Sequence, residues 1–310
     1  MQWLKSVPNF NFMKYRRVAM IGSAVSSLIA IFAILFMGLN FGIDFTGGVI
    51  IEVRYPAGAN LTQIRSDLEG SGLPSVQVQN FGSPNDVLIR LPPVAANSNA
   101  DATQNQVMDV LRKSEPNVQV QRIEAVGPQV GENLAEQGGR AMLFALILIF
   151  IYVMIRFRWK LAVGAIVATV HDIVIVVGAF ALFGWQFDLT VLGSVLAVLG
   201  WSLNDTVVLY DRVRDNFRHT RRGTAEQIVN SSVNQTLSRT INTGVTTLLV
   251  LVALYFLGGD TLWGFSVALI IGIIVGTYSS IYIASAMALV LDITPADLVA
   301  VKAEKVDDTP

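Results

Sequence analysis

Six long apolar runs recur along this chain, separated by short polar connectors everywhere except between the first and second. Val18–Leu39 comes first. At about 1.5 Å of rise per helical residue it is long enough to cross about 30 Å of hydrocarbon. The second occupies roughly Gly138–Phe157. Its uninterrupted part, Ala141–Ile155, is short, so Arg140 and Arg156 must reach opposite interfaces. Leu161–Phe183, Leu189–Tyr210, about Val233–Leu257 and Leu262–Leu291 complete the set. The last exceeds the membrane thickness and must tilt or project. The pattern predicts a polytopic α-helical membrane protein with six transmembrane helices.

The long interval at 40–137 switches to a shorter period. "GGVIIEVRY" reads as a β-branched strand and "LTQIRSDLEG" as a helix stopped by Gly70. "SVQVQNF" and "DVLIRL" read as strands joined through "GSPN". "PPVAANSNA" is a loop, "DATQNQVMDVLRKSE" a helix with Asp101 as N-cap, and "NVQVQRIEAV" a last strand. The order β-α-β-β-α-β is that of a ferredoxin-like α+β domain. Such a fold implies no activity by itself, so a rigid spacer is the alternative.

Composition agrees with a membrane setting. Of 310 residues, 53% are hydrophobic and 15% charged, with mean hydropathy +0.54. A soluble chain of this length needs more charge to cover itself. The net charge of −1 implies no nucleic-acid partner, and the absence of cysteine excludes disulfides. The first run is too long for a signal-peptide core and no cleavage pattern follows it, which makes it a retained anchor. Lys5, Lys14, Arg16 and Arg17 precede it. Arg156, Arg158 and Lys160 follow the second run, and Arg212, Arg214, Arg218, Arg221 and Arg222 follow the fourth. The connectors Gly184–Asp188 and Gly258–Thr261 carry no basic residue. Both termini are therefore expected in the cytoplasm, with 40–137 on the periplasmic side. The resulting division is 1–17 cytoplasmic, 18–39 first helix, 40–137 outer domain, 138–291 remaining helices with a basic connector at 211–232, and 292–310 tail. The connector is expected to lie along the inner interface with Phe217 as anchor, or to be a solvated loop.

Two glycine-bearing stretches join domain and membrane. "FGIDFTGG" holds Gly42, Asp44, Gly47 and Gly48; "VGPQVGENL" holds Gly127, Pro128 and Gly131. Both suit chain reversal and read as hinges or junctions, with Asp44 as a cap. The phosphate-loop pattern is missing.

Ionisable groups stand inside the runs: His171 and Asp172 in the third, Asn204 beside Asp205 in the fourth, Arg239 at the start of the fifth. An ionisable group at that depth costs at least about 2.5–3.5 kcal/mol, so it usually faces a partner or a water-filled path. The alternative for each is a polar group that only fixes helix packing. Asp205 and Arg212 share a helix face but lie about 10 Å apart along it. Arg239 is the better partner, and burial competes with that guanidinium in setting the proton affinity of Asp205. These five residues are the candidate proton path. Hydrolytic chemistry is excluded by pattern: "GWSLND" is neither G-x-G-D nor G-x-S-x-G, and two histidines without cysteine make no zinc site. No enzyme activity, metal or cofactor is expected. In the sixth run Gly264, Ala268, Gly272, Gly276, Ser280, Ala284 and Ala288 form a small-residue stripe, suited to close packing within the bundle or against another subunit.

The stretches "FGIDFTGG", "VGPQVGENL", "LGWSLNDTVVLYDRVRDNFR" and "NQTLSRTINTGVTTLLVLVALYFLGG" resemble the SecD/SecF family of protein-export membrane proteins, related to the resistance-nodulation-division (RND) exporters. The resemblance covers nearly the whole chain. Asp215 stands where the family more often has Glu. It implies an RND-type half whose other half is SecD, working with the SecYEG translocon, YajC and YidC in the bacterial inner membrane. The resemblance also implies that the proton gradient is its energy source, with no cofactor, and that it helps draw translocating preproteins to the far side after ATP-driven insertion. Asp205 and Arg239 match the family's proton-passage positions. The competing readings are half of a small-molecule exporter and a passive scaffold. Tyr55 and Phe81 are the only aromatics between Gly47 and Leu134, which disfavours an exporter's ligand pocket.

Overall fold

A computed structural model describes residues 8–73, 76–81, 83–93, 100–220 and 223–294. Most of the tail at 292–310 and of the loop "PPVAANSNA" lies outside them. Among the described residues, six helices are long and apolar enough to cross a membrane. They are α1 (Arg16–Phe32, extended by a π-helical turn Ala33–Met37), α5 (Pro128–Arg156), α6 (Trp159–Phe183), α7 (Leu189–His219), α8 (Ala225–Leu257) and α9 (Gly259–Ser279). A second π-helical turn, Ser280–Ala284, carries α9 into α10 (Ser285–Val290).

The interval between α1 and α5 contains β1 (Asn40–Phe41), α2 (Ile43–Thr46), β2 (Gly48–Arg54), α3 (Leu61–Gly70), β3 (Gln77–Phe81), β4 (Ser83–Leu91), α4 (Ala100–Ser114) and β5 (Gln119–Val126). The sheet order is β3-β4-β2-β5, every neighbour antiparallel. Alternation builds its core. Val49, Ile51 and Val53 of β2 and Val87, Ile89 and Leu91 of β4 point to one face. Ile64 and Leu68 of α3, with Val107 and Leu111 of α4, cover that face. On the other face Ile50 and Leu88 pack on Ile43 of α2, at the membrane junction. Arg54 stands opposite Asp86 in the β2–β4 register and donates to it at 2.6 Å. The hydrogen bonds from Arg54 and Ser83 hold the Asp86 carboxyl below the usual carboxylate range. Burial, with the charges of Asp67 and Glu115, pushes the Tyr55 hydroxyl up to about 12, so it stays neutral in the core.

Several boundaries differ from the sequence reading. Ser83–Asn85 of the expected turn belong to β4, where the Ser83 hydroxyl accepts from the backbone N–H groups of Asn85 and Asp86. α3 ends at Gly70, but the left-handed conformation falls on Gly72 (φ 82°). α4 begins at Ala100, one residue before the expected cap Asp101. The largest correction concerns 211–232. It is not a connector along the interface but the end of α7 and the start of α8, which pack together. Val213 and Phe217 are buried against Ile228, Val229 and Val233. Asn216 donates to Ser232 Oγ (2.8 Å) and Gln235 Oε1 (2.9 Å). Phe217 is thus a core residue, not an interface anchor. A capping box between Thr224 and Gln227 starts α8.

α6, α7 and α9 form the centre; α1, α5 and α8 turn apolar faces outward. The small-residue stripe packs inside this chain, along α7. Gly272 accommodates Val198, and a Cβ at Gly276 would lie 3.3 Å from that of Ser202. Ser280 Oγ meets Thr206 Oγ1 at 2.9 Å, and the Tyr210 hydroxyl donates to the Ala284 carbonyl at 3.0 Å. Each step is one helical turn, so bare α9 positions receive α7 side chains in sequence.

Leu68 is fully buried beneath the sheet. Leu68→Ala is expected to cost the α+β domain about 2–5 kcal/mol. The thermal unfolding temperature of the domain should fall and its protease sensitivity rise accordingly, with the helical content of the bundle unchanged by circular dichroism.

Candidate functional site

The polar groups of the bundle form one closed cluster and one open cluster. α6 buries the row Leu161, Ala165, Ala168, Asp172 and Val176, three or four residues apart, against α7 and α9. Asp172 is completely buried. Its Oδ2 accepts from Ser202 Oγ of α7 (2.6 Å) and from Ser279 Oγ at the end of α9 (2.8 Å). Its Oδ1 lies 3.0 Å from His171 Nδ1. Gly276 is bare at this point, since a Cβ there would stand 3.5 Å from Asp172 Oδ2. Three helices are thereby clasped through one carboxylate. The clasp adjoins the π-helical turn, whose wider ladder leaves carbonyls to be met by side chains. Ser285 Oγ donates to the Ser280 carbonyl (3.2 Å) and Tyr210 to that of Ala284. His171 Nε2 is buried without a hydrogen-bond partner, at the wall of an apolar cavity of about 330 Å³ shared with Met20, Ser23 and Ser27 of α1.

Asp205 lies one turn further along α7 from Ser202. It is 5% exposed, and its Oδ2 has no hydrogen-bond partner among the described residues. The Arg239 guanidinium of α8 acts on its charge, yet no ion pair forms between them among the described residues. Arg239 is itself exposed. It lines a cleft of about 510 Å³ together with Asp211, Arg212, Asp215, Thr236 and Val208. Val208 is one turn from Asp205, so this polar cleft approaches the carboxyl. Asp211 is paired with Arg156 at 2.6 Å, and Arg212 with Gln235 at 2.5 Å. The structure therefore separates the five candidates: His171 and Asp172 share the clasp, Asp205 and Arg239 share the cleft side. Asn204 joins neither. It is exposed on an α7 stripe with Gly193, Ala197 and Gly200.

Sequence reasoning missed Ser202 and Ser279, which carry no signal of their own within an apolar run. It also missed Trp201 Nε1 and Asn242 Oδ1, both buried without partners. Asp188 was legible as an acidic residue before an apolar run. It caps α7, accepting from Val191 N at 2.8 Å.

The glycine stretches interlock. β1 pairs in parallel with β6 (Gln186–Phe187), and Gly42 N donates to the Phe187 carbonyl at 2.8 Å. Asp44 accepts from Leu189 N, the first residue of α7, at 3.0 Å. Gly47 (φ 71°) ends α2 where a Cβ would stand 2.9 Å from Pro128 Cα; a Cβ at Gly131 would stand 2.7 Å from Gly47 N. Gly48 (φ 127°) lies under the Leu91 carbonyl. The stretch expected to reverse the chain at "VGPQVGENL" is instead helical from Pro128, because proline at the first helical position is preorganised, with Gly127 as N-cap. Gly127 and Pro128 thus form an exposed helix start, and the buried Gly131 packs it against Gly47.

Comparison with known proteins gives a consistent picture. Residues 106–293 match the family described as "Protein export membrane protein SecD/SecF, C-terminal", and 32–55 match the "SecD/SecF GG Motif". The Protein translocase subunit SecF of Pseudomonas aeruginosa is 46% identical over 307 residues, covering 98% of this chain and 99% of that protein. That of Vibrio alginolyticus is 44% identical over 305 residues, with 98% and 96% covered. The crystal structure of SecDF, a translocon-associated membrane protein from Thermus thermophilus, superposes with a TM-score of 0.85 at 36% identity over 93% of this chain. This chain spans 39% of that longer one.

Asp172→Ala would strand the Ser202 hydroxyl and His171 Nδ1 in the bundle and leave Ser279 Oγ only the Gly276 carbonyl at 3.1 Å. A loss of about 2–4 kcal/mol is expected in detergent unfolding, with Asp172→Asn losing less because its amide oxygen still accepts.

Proposed function

Because the chain belongs to the SecD/SecF family of protein-export membrane proteins, we propose that it is an inner-membrane subunit of the Sec machinery that works with SecD. Together they use the proton-motive force to promote preprotein translocation and release on the far side. One observation carries this reading: Asp205 is a buried carboxyl with an unengaged oxygen, one turn from a polar cleft and within the field of Arg239. A group so placed can gain and lose a proton without dismantling a hydrogen-bond network. Asp172, by contrast, is held on both oxygens.

The α+β domain is read as a ferredoxin-like unit on the periplasmic side, with both termini cytoplasmic. Its strand order supports that fold, and the distribution of basic residues supports that orientation. SecD as the missing half is supported by the shorter span of this chain relative to SecDF. Exposed Gly193, Ala197, Gly200 and Asn204 on α7, and exposed Arg239 on α8, suit a second membrane subunit more than lipid. SecYEG, YajC and YidC are the further partners this reading implies, with no cofactor and no enzymatic step. One elementary charge crossing 100 mV supplies about 2.3 kcal/mol, a bias of tens of fold between two positions of the outer domain. The exporter alternative is weakened by Tyr55, whose ring belongs to the domain core rather than to a pocket.

Asp205→Asn keeps the shape and removes the titration. Preprotein export into inverted vesicles should lose its dependence on the proton gradient, while insertion and association with SecD persist. Gradient-dependent export at the parental level in this variant would leave only the scaffold role.

A further inference from the structure

The first N–H groups of a helix have no partner within it, and α7 meets this need from two places. Asp188, adjacent in sequence, takes Val191 N and the Thr190 hydroxyl, at 2.8 and 2.6 Å. The other carboxylate comes from 145 residues away: Asp44 Oδ2 takes Leu189 N at 3.0 Å. Asp44 sits in α2, a four-residue turn fastened to the α+β domain on several sides. Arg90 of β4 donates to the Phe41 carbonyl and to Thr46 Oγ1 on either side of it. Gly47 and Gly48 lead directly into β2, and α5 packs on Gly47 through Gly131. α2 therefore belongs mechanically to the domain, while Leu189 belongs to the helix that carries Asp205 about 24 Å further along.

The geometry points to Asp44 as the positioning residue that couples the two: its bond to Leu189 N transmits displacement of α7 to the α+β domain. This deepens the proton-driven reading above and rests on it. Local stability alone does not explain the arrangement, because Asp188 already caps α7. The extra carboxylate, attracted by the positive end of the helix, ties together two bodies that would otherwise meet through backbone pairing at β1–β6 and side-chain packing. A second tether stands elsewhere on the domain, where Arg122 of β5 donates to Thr261 Oγ1 near the start of α9 at 3.0 Å. Among the described residues the domain thus has one side-chain hydrogen bond to α7 and one to α9.

The test uses the full chain with SecD in proteoliposomes. The chain has no cysteine, so spin labels at Gln121→Cys in β5 and Leu257→Cys at the end of α8, both exposed, report the domain position alone. In the parent the distance distribution should shift when a proton gradient is imposed. Asp44→Ala should abolish that shift and lower gradient-dependent export by about tenfold or more. Leu189→Pro removes the same hydrogen bond from the donor side. Proline is tolerated at a first helical position, and the extended Asp188 backbone accepts one after it, so the same loss is expected there. Asp44→Asn, whose amide oxygen still accepts, should retain part of the response, which a purely electrostatic role would not allow. If the parent distances ignore the gradient, the motor reading fails and this one with it. If the parent responds and Asp44→Ala or Leu189→Pro responds equally, the coupling role alone is overturned. Should Asp44→Ala fail to assemble, Leu189→Pro decides.

Discussion

Asp172 is wholly buried, and its charge is held by Ser202, Ser279 and His171, on α7, α9 and α6 itself. A carboxylate at this depth is too costly to leave unmet, so the helices that satisfy it cannot part without stranding it. The neighbouring architecture follows from that demand. Gly276 is bare where the carboxylate needs room. The stripe from Gly272 to Ala284 lets α7 lie close enough for Ser202 to reach. The π-helical turn after Ser279 shifts the register of α9 at the point where the serine must face inward.

Asp205, one turn away on the same helix, is the counterpart. It has burial without satisfaction, and a polar cleft comes within a turn of it at Val208. The difference between the two aspartates is one of environment, not residue type. Moving Asp172 would break its contacts with Ser202, Ser279 and His171, whereas Asp205 has an oxygen engaged by no described partner. The clasp thus gives a fixed frame against which a change of charge at Asp205 has a mechanical meaning.

Much of this was legible in the residues, and unevenly. The strands and helices of the α+β domain follow from alternation and turn chemistry, since Val49, Ile51 and Val53 face one side as period two requires. The six helices follow from hydropathy, but their ends do not. A hydropathy window measures contact with lipid, whereas Val213 and Phe217 carry α7 onward by packing on Ile228 and Val229. Asp172 and Asp205 could be picked out as costly residues, yet nothing local separates their roles. That separation depends on Ser202 and Ser279, which look like any small residue in a span. Asp44 looked like a cap for its own turn. Its partner lies 145 residues on, a distance that sequence periodicity cannot bridge.

A rigid block moves as a whole only if its attachments differ in strength. α6, α7 and α9 are locked by the clasp and the stripe, so α7 cannot slide along α9 without driving Val198 into a neighbouring turn. At the Arg239 end, α7 is also bound to α8 through Arg212–Gln235 and Asn216–Ser232. α8 in turn holds the N-terminal segment, through Asn234 to Phe10 and Glu226 to Arg16. Those bonds are numerous and lie far from the α+β domain. At the domain end the hydrogen bonds toward α7 and α9 among the described residues are few: the two-residue pairing with Asn40 on the Gly184 carbonyl, Asp44 on Leu189, and Arg122 on Thr261. A disturbance at Asp205 therefore meets its stiffest resistance toward Arg239 and its softest toward the domain. Under the proton-driven reading proposed above, the same inequality makes the bundle the lever and the α+β domain its moving arm.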